Sequence, residues 1–263
     1  MPNEYREHME LALEAARKAG AHLKAHFGAR QPVEYKGEID LITARDRESQ
    51  DMIYDVLHRR FPDSALLGEE DGAVPAPADS QWLIDPLDGT TNYAHGLPLF
   101  CVSLAFREHG QTRVGVVFNP MLGEMFRAVR GQGAFLDANR LTVSREGDLG
   151  RSLLATGFPY DIRRSPARSL DLFGHFVGRG RAVRRCGAAA LDLAYTAAGR
   201  FDGFWEMKLS PWDTAAGALL VEEAGGRITD FSGAPFDPFG RECLASNGLI
   251  HGDMLEILAP ANA

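Results

Sequence analysis

The sequence has few cysteines and no long apolar run. Its three cysteines, Cys101, Cys186 and Cys243, are widely separated, and no two have the Cys-x-x-Cys spacing of zinc or redox sites. This pattern argues against a zinc centre and a disulfide framework, and it favours a reducing cytoplasm. No stretch approaches the ~18 consecutive apolar residues of a membrane span, and the charged N-terminal segment lacks the apolar core of a signal peptide. We therefore expect no membrane association.

Positive charge is also scarce. Lys and Arg number 28 against 36 Asp and Glu, which gives a formal net charge of -8 with no basic block to offset it. We therefore expect no direct binding to nucleic acid. A hydrophobic content of 45% over 263 residues is ordinary for a globular protein of one large domain or two.

The most informative stretch is WLIDPLDGTTN, residues 82–92. Its apolar start predicts the end of a buried strand, and Pro86 is expected to stop that strand between Asp85 and Asp88. Gly89 permits close backbone approach, and the three polar residues after it suit a helix N-cap. Carboxylates are ligands for Mg²⁺ and helix N-termini bind anions, so this stretch could hold a metal and a phosphate. The alternative is an acidic turn with ordinary capping.

Three motifs in this order resemble the inositol monophosphatase family. They are GEE at residues 68–70, WLIDPLDGTTNYAHGLPLFCVSLAF at 82–106 and WDTAAGALLVEEAGG at 212–226. The resemblance extends over nearly the whole chain. It implies an α+β or α/β layered sandwich in which helix and sheet layers alternate, as in inositol monophosphatases and fructose-1,6-bisphosphatases.

The hydrophobic pattern divides the chain into two halves. Helices are predicted at residues 4–28 and 46–60, followed by an antiparallel meander that runs to about residue 143. Strands and helices then alternate, with a helix beginning at Pro211, a closing hairpin within 225–236 and a last helix ending near Leu258. We predict an N-terminal α+β half over 1–147 and a C-terminal α/β half over 148–263, with the site in the cleft between them.

The family resemblance implies a magnesium site with two or three ions. Glu69, Asp85 and the carbonyl of Leu87 would hold one ion, and Asp85, Asp88 and Asp213 the second. Cations are needed because a carboxylate and a phosphate 4 Å apart repel each other by about 4 kcal/mol at an effective dielectric constant of 20. Read locally, Glu69 belongs to a solvated acidic turn and Asp213 caps a helix.

The resemblance also implies roles in catalysis and substrate binding. A metal-activated water, oriented by Glu69 and by Thr90 paired with Asp46, would attack phosphorus directly. Locally, Asp46 can equally be a helix cap and Arg184 a solvated side chain. The residues expected to contact phosphate or substrate are Leu87, Asp88, Gly89, Thr90, Arg184, Gly187, Ala188, Ala189, Glu206 and Asp213.

The predicted function is Mg²⁺-dependent hydrolysis of a small phosphorylated polyol, foremost myo-inositol 1-phosphate, by a lithium-sensitive homodimer. One alternative is the same chemistry on fructose 1,6-bisphosphate, histidinol phosphate or 3′-phosphoadenosine 5′-phosphate. The other is a non-enzymatic role: some bacterial members of the family contact the transcription machinery and act in antitermination. That role would use a surface, which the sequence does not identify.

Overall fold

The computed structural model describes residues 4–28, 33–35, 41–72 and 78–259. The helices are α1 (Arg6–His26), α2 (Ala44–His58), α3 (Thr90–Ala94), α4 (Ala167–Arg179), α5 (Ala189–Ala197), α6 (Pro211–Glu223) and α7 (His251–Leu258). The strands are β1 (Val33–Tyr35), β2 (Leu41–Thr43), β3 (Ala65–Gly68), β4 (Ser80–Asp88), β5 (Cys101–Glu108), β6 (Gln111–Asn119), β7 (Glu124–Val129), β8 (Gly133–Leu136), β9 (Asn139–Arg140), β10 (Leu153–Thr156), β11 (Ala182–Arg184), β12 (Gly203–Met207), β13 (Arg227–Thr229) and β14 (Glu242–Ser246).

Two large sheets carry most of these strands. The first has seven strands in the order β3-β4-β5-β6-β7-β8-β9, and the second has five in the order β11-β10-β12-β14-β13. In the first sheet β3 and β4 are parallel and the remaining pairs are antiparallel. In the second sheet β10 is parallel to both β11 and β12. β1 and β2 form a separate antiparallel pair.

Helices cover both faces of the first sheet and both faces of the second. α1 and α2 pack on one face of the seven-stranded sheet, and α6, with α5 beside it, packs on the other. α5 and α6 also contact the five-stranded sheet, whose far side meets α4 and α7. One apolar cluster, which includes Leu83 of β4 and Phe204 of β12, spans the middle of the molecule. The layers therefore alternate as helix, sheet, helix, sheet and helix.

Two local predictions about the central strand are wrong. β4 does not stop at Pro86 but continues to Asp88, because its pairing with β5 shifts register between Asp85 and Asp88. Such an irregularity leaves residues outside the ladder, so a proline without an N–H group is tolerated there. The residue that precedes α3 is Gly89, with φ of 97°, and no side chain caps this helix.

The closing hairpin is also assembled differently. β13 pairs with the distant β14, and only an isolated bridge from Thr229 to Pro235 lies within the predicted hairpin. The other helices and strands named from the sequence are present, with ends moved by a few residues. The division into halves at residue 147 remains a prediction. None of the helices in the described ranges is long and apolar enough to cross a bilayer.

Candidate active site

A cavity of about 480 Å³ opens where β4 and β12 end and where α3, α5 and α6 begin. Most residues proposed from the sequence line it. These are Glu69, Asp85, Leu87, Asp88, Gly89, Thr90, Gly187, Ala188, Ala189, Glu206 and Asp213. Asp46 lies behind this lining, and Arg184 does not reach it.

Glu69 and Asp85 meet because their strands are parallel neighbours. Gly68 at the end of β3 is in register with Ile84 of β4, so the next residue of each strand emerges at the same edge of the sheet. Glu69 begins a short 3₁₀ turn over Glu69–Asp71. The side chain of Gln50 fixes this turn by accepting a hydrogen bond from the backbone N–H of Glu70 at 3.0 Å.

Asp85 is a buried carboxyl group surrounded by other acids. Its Oδ1 accepts a hydrogen bond from the backbone N–H of Leu87 at 3.0 Å. Burial raises the pKa of the Asp85 carboxyl well above its ordinary value, and the charges of Glu69, Asp88 and Asp213 raise it further. The cavity thus concentrates negative charge that a proton or a cation must offset.

Asp88 links β4 to the start of α5. Its two oxygens accept hydrogen bonds from the backbone N–H groups of Ala189 at 3.1 Å and Ala190 at 2.8 Å. The thiol of Cys101 also donates to it, at 3.4 Å. Burial raises the pKa of Asp88 to about 6, although these donors oppose the shift. The sequence motif gave no sign of the two backbone donors, which lie 101 and 102 positions further along the chain.

Thr90 and Asp46 are hydrogen bonded, as the resemblance implied. The Thr90 hydroxyl lies 2.9 Å from Asp46 Oδ1 and 3.0 Å from the carbonyl oxygen of Leu87. Asp46 is not the N-cap of α2, as the local interpretation had it, because α2 begins at Ala44 and its N-cap is Thr43. Asp46 instead completes a capping box, since its Oδ2 accepts hydrogen bonds from the N–H and hydroxyl of Thr43 at 2.8 and 2.6 Å. Helix capping and the bond to Thr90 therefore use different oxygens of the same carboxylate. A Cβ at Gly89 would lie 2.9 Å from the Leu99 carbonyl oxygen, which explains the glycine.

Asp213 and Glu206 approach the cavity from the second sheet and its helices. Asp213 is in the first turn of α6, and its Oδ2 accepts the N–H of Ser210 at 2.7 Å. Burial raises the pKa of Glu206 well above its ordinary value, and the acids Asp192, Asp213 and Asp88 raise it further, while Arg185 opposes the shift. Both acids thus belong to the cluster of carboxyl groups whose charge a proton or a cation must offset.

The structure places Arg185 in the cavity instead of its neighbour Arg184. Arg184 ends β11, and its exposed side chain contacts the Val183 carbonyl. Sequence reasoning also missed Asn92, whose side-chain amide donates to the carbonyls of Leu99 and Cys186, both at 2.7 Å. The polar Thr-Thr-Asn run is the available signal, but by itself it predicts helix capping and not these two contacts.

The donor set fits a hard divalent cation. Carboxylate and carbonyl oxygens are the ligands that Mg²⁺ prefers. The described residues that line the cavity supply several of them and include no cysteine or histidine. Within the residues that the structure describes, no three His, Cys, Asp or Glu side chains converge as a preformed metal cage. Mg²⁺ does not require one, because it commonly uses one or two carboxylates and retains water molecules.

Helix and sheet layers alternate around an acidic cavity, as in a layered enzyme fold. Comparison of the chain with known proteins identifies its family. The model of the inositol monophosphatase family matches residues 4–262. An inositol-1-monophosphatase from Synechocystis is 40% identical over 261 residues, 98% of this chain and 91% of its own. The Nus factor SuhB of Escherichia coli K12 is 45% identical over 228 residues, 86% of this chain and 85% of its own.

A solved structure supports the same family. The structure of an inositol monophosphatase from Anabaena is similar to this one with a TM-score of 0.88 at 39% sequence identity, and the match covers 97% of this chain and 96% of the Anabaena chain. The predicted layered α+β fold is therefore confirmed. The chain belongs to the inositol monophosphatase family, and its relatives identify it as a phosphatase.

Proposed function

We propose that the protein hydrolyses a phosphate monoester with the help of Mg²⁺. The observation that supports this most strongly is the meeting of Glu69, Asp85, Asp88 and Asp213 in one cavity, beside the N-terminus of α3. Carboxylates alone would repel a phosphate, whereas the first N–H groups of a helix attract one. The site therefore suits a phosphate that arrives together with divalent cations.

The residues that would hold the ions are Glu69, Asp85, the Leu87 carbonyl, Asp88 and Asp213, with two or three ions per site. Bound there, Mg²⁺ would neutralise charge on the phosphate oxygens and activate a water molecule. The donors on Asp88 leave its carboxylate little freedom to turn, so its ligand atoms are oriented in advance.

Thr90 and Asp46 would orient the attacking water. Asp46 accepts the Thr90 hydroxyl proton, so the Thr90 oxygen keeps a lone pair to receive a hydrogen bond from water. Glu69 would accept the second proton of that water as its oxygen bonds to phosphorus. The bond from phosphorus to the ester oxygen would break at the same time, and the alcohol would leave with a proton taken from solvent water. The backbone N–H groups of Gly89 and Thr90 would bind the phosphate oxygens, on which negative charge develops. In this scheme the chain forms no covalent phosphoryl intermediate.

The proposed substrate is myo-inositol 1-phosphate. The name of the Synechocystis relative supports this choice, and so do polar groups of the cavity lining other than the proposed metal ligands. Glu206 and the backbone of Gly187–Ala189 would contact ring hydroxyls, since all of them line the cavity.

Phosphate release from four esters tests the proposal. They are myo-inositol 1-phosphate, fructose 1,6-bisphosphate, histidinol phosphate and 3′-phosphoadenosine 5′-phosphate, each with Mg²⁺, with EDTA and with added Li⁺. We expect Mg²⁺-dependent release, highest from the inositol ester and suppressed by Li⁺. A preference for another ester would refute the substrate, and equal rates in EDTA would refute the metal dependence.

A second candidate function is a role in transcription antitermination, in the cytoplasm. The relative named Nus factor SuhB supports it, at 45% identity. Such a role would use a surface, so an Asp88→Asn variant should still complement a deletion strain although it is inactive as a phosphatase. Failure of that variant to complement would refute the independent role.

The protein is also proposed to be a homodimer. α4 exposes Leu170 and Val177, which lie seven residues apart and hence on one face of the helix. Light scattering should give a dimer for the wild type. A Leu170→Glu, Val177→Glu double variant should be monomeric, and an unchanged dimer in that variant would exclude this face.

A further inference from the structure

The helix α2 turns one face toward two separate parts of the candidate site. Asp46, Gln50 and Tyr54 are four residues apart in sequence, so they lie above one another on a single face of this helix. Asp46 accepts the hydroxyl of Thr90, whereas Gln50 and Tyr54 bond to residues that follow β3. Neither Gln50 nor Tyr54 is among the described residues that line the cavity. Their contacts are therefore made from behind the lining.

The side-chain amide of Gln50 uses both of its ends on the turn Glu69–Asp71. Its Oε1 accepts the N–H of Glu70 at 3.0 Å, and its Nε2 donates to Oδ1 of Asp71 at 2.9 Å. Glutamine can do this because its amide carries both an acceptor and donors. Gln50 is only 6% exposed, and a buried polar side chain is expected to keep its hydrogen bonds. The amide therefore fixes the turn at two points.

Asp71 connects the same turn to Tyr54. Its Oδ2 accepts the N–H of Gly68 at 2.9 Å and also the hydroxyl of Tyr54. Burial raises the pKa of the Tyr54 phenol, and its hydrogen bond to Asp71 raises it further, so the hydroxyl keeps the proton that it donates. A Cβ at Gly68 would overlap the side chains of Gln50 and Tyr54. The end of β3 thus lies directly against this face of α2.

Glu69 lies between two backbone N–H groups that these side chains hold. The N–H of Gly68 bonds to Asp71 and that of Glu70 to Gln50, so the backbone on both sides of Glu69 is fixed while its side chain lines the cavity. Glu69 and Thr90 are the two groups proposed to orient the attacking water. A displacement of about 1 Å at such a group can cost about 10²-fold in rate.

We propose that Gln50 and Tyr54 are positioning residues for Glu69, and that one face of α2 aligns Glu69 with Thr90. The eight residues from Asp46 to Tyr54 span about 12 Å of α-helix. The helix therefore sets the separation between the group that holds Thr90 and the groups that hold the Glu69 turn. This inference rests on the proposed function and deepens it, because it names residues that act on the site without touching substrate or metal.

The first test removes the Gln50 amide. In Gln50→Ala we expect kcat for myo-inositol 1-phosphate to fall about ten-fold, and the Mg²⁺ concentration that gives half the maximal rate to rise about ten-fold. KM for the ester should change little. Tyr54→Phe removes one hydroxyl only and should shift both quantities in the same direction by a smaller factor. If Gln50→Ala does not fold, Tyr54→Phe decides the outcome.

Gln81→Ala is the matched control. Gln81 is also a buried glutamine, at 2% exposure, and its Oε1 accepts the N–H of Ala78 at 3.2 Å, away from the cavity lining. Both kinetic quantities should stay close to the wild-type values in this variant. An equal loss of activity in Gln81→Ala and Gln50→Ala would refute the positioning role, since the loss would then follow from burial alone.

An exchange of donor and acceptor gives a rescue test. Gln50→Glu places two acceptors against each other, and Asp71→Asn leaves the turn with an excess of donors, so each single variant should resemble Gln50→Ala. In the double variant the new amide donates to the new carboxylate, and its oxygen still accepts from Gly68. We expect kcat to return to within about three-fold of the wild type. A double variant as impaired as the two single variants would contradict the proposal.

Hydrogen exchange of the Glu70 amide, measured in EDTA, follows the turn without requiring activity. Exchange should be faster in Gln50→Ala than in the wild type, and slow again in the Gln50→Glu, Asp71→Asn double variant. Wild-type kinetics and Mg²⁺ dependence in both Gln50→Ala and Tyr54→Phe would overturn the positioning role. A wild type without Mg²⁺-dependent hydrolysis would instead overturn the proposed function. The exchange rates then decide for the turn, and an unchanged rate in Gln50→Ala refutes its control by α2.

Discussion

The cavity is lined by buried acids, which we call the inner end, and by the exposed cations Arg185 and Lys208, which we call the outer end. At the inner end Asp88 is buried and fixed by two backbone N–H groups and a thiol. At the outer end the Arg185 guanidinium lies over the ring of Phe158, and Lys208 is paired with the exposed Asp161. Charges act more strongly where water is excluded, and exposed charges are screened by salt. The chemistry that we propose therefore falls to the buried carboxylates and not to the exposed cations.

Removing the Asp88 carboxylate at the inner end should lower the catalytic rate more than any other single change considered below. Asp88→Asn should lower kcat/KM about 10³-fold, because a neutral side chain in this position no longer offsets cationic charge at the reaction centre. The new amide also places N–H groups against the N–H of Ala189 or Ala190, which should cost about 1–3 kcal/mol in the free energy of unfolding. Steady-state kinetics and urea denaturation measure the two effects.

Asp202→Asn is the matched control for that variant. Asp202 lies outside the cavity lining, and its Oδ2 accepts the N–H of Leu153 at 2.7 Å. Its substitution should reduce stability by a similar amount while kcat/KM stays close to the wild-type value. If both variants lose activity equally, stability accounts for the loss and Asp88 has no special role.

The pH dependence of stability should separate the inner end from the rest of the protein. The pKa of Asp88 rises from 3.8 to about 6 on folding, chiefly through burial, so the folded state binds this proton more tightly than the unfolded chain. In EDTA this group should therefore lower the free energy of unfolding as pH rises from about 4 to 6, by up to about 3 kcal/mol.

Urea denaturation in EDTA, compared between the wild type and Asp88→Asn, measures this contribution. The fall should be smaller in the variant, where the raised pKa values of Asp85 and Glu206 still contribute, and Mg²⁺ should reverse it in the wild type. Identical pH slopes in the two proteins would contradict the assignment of the shift to Asp88.

Removing the Thr90 hydroxyl should have a smaller effect on catalysis than removing the Asp88 carboxylate. Thr90→Val should lower kcat about 10²-fold, since it removes the group that is proposed to orient the water, while KM changes little. Thr156→Val is a suitable control, because the Thr156 hydroxyl is equally buried and donates to the Trp205 carbonyl at 2.7 Å, outside the cavity. Equal kcat values for the two variants would exclude the role of Thr90.

The smallest effect should come from Arg184, the arginine that the sequence suggested as a substrate contact. Because its exposed side chain does not line the cavity, Arg184→Met should change kcat/KM by less than about two-fold. A large rise in KM would restore the sequence prediction and place Arg184 at the substrate.

The sequence predicted which carboxylates line the inner end, but it did not predict that Arg185 and Lys208 line the cavity. Asp85, Asp88 and Asp213 belong to contiguous motifs, and local patterns located the strand and the helix that carry them. The donors to Asp88 could not be predicted in this way, because Ala189 and Ala190 lie about a hundred residues away along the chain. They depend on how α5 packs against the first sheet.

Arg184 and Lys208 show two other reasons why local patterns fail. Neighbouring residues at a strand end point to different sides, so a shift of one position exchanges Arg184 for Arg185. Lys208 belongs to no motif, and its positive φ is a property of the folded backbone. β13 likewise finds its partner in the distant β14, which short-range turn signals do not reveal.

Phosphate release from myo-inositol 1-phosphate over a range of Mg²⁺ concentrations, by the wild type and by Asp88→Asn, tests the central claim most directly. The account predicts release that rises with Mg²⁺ in the wild type, disappears in EDTA and stays about 10³-fold lower in the variant. Release that is the same in EDTA, or that Asp88→Asn leaves intact, would contradict it.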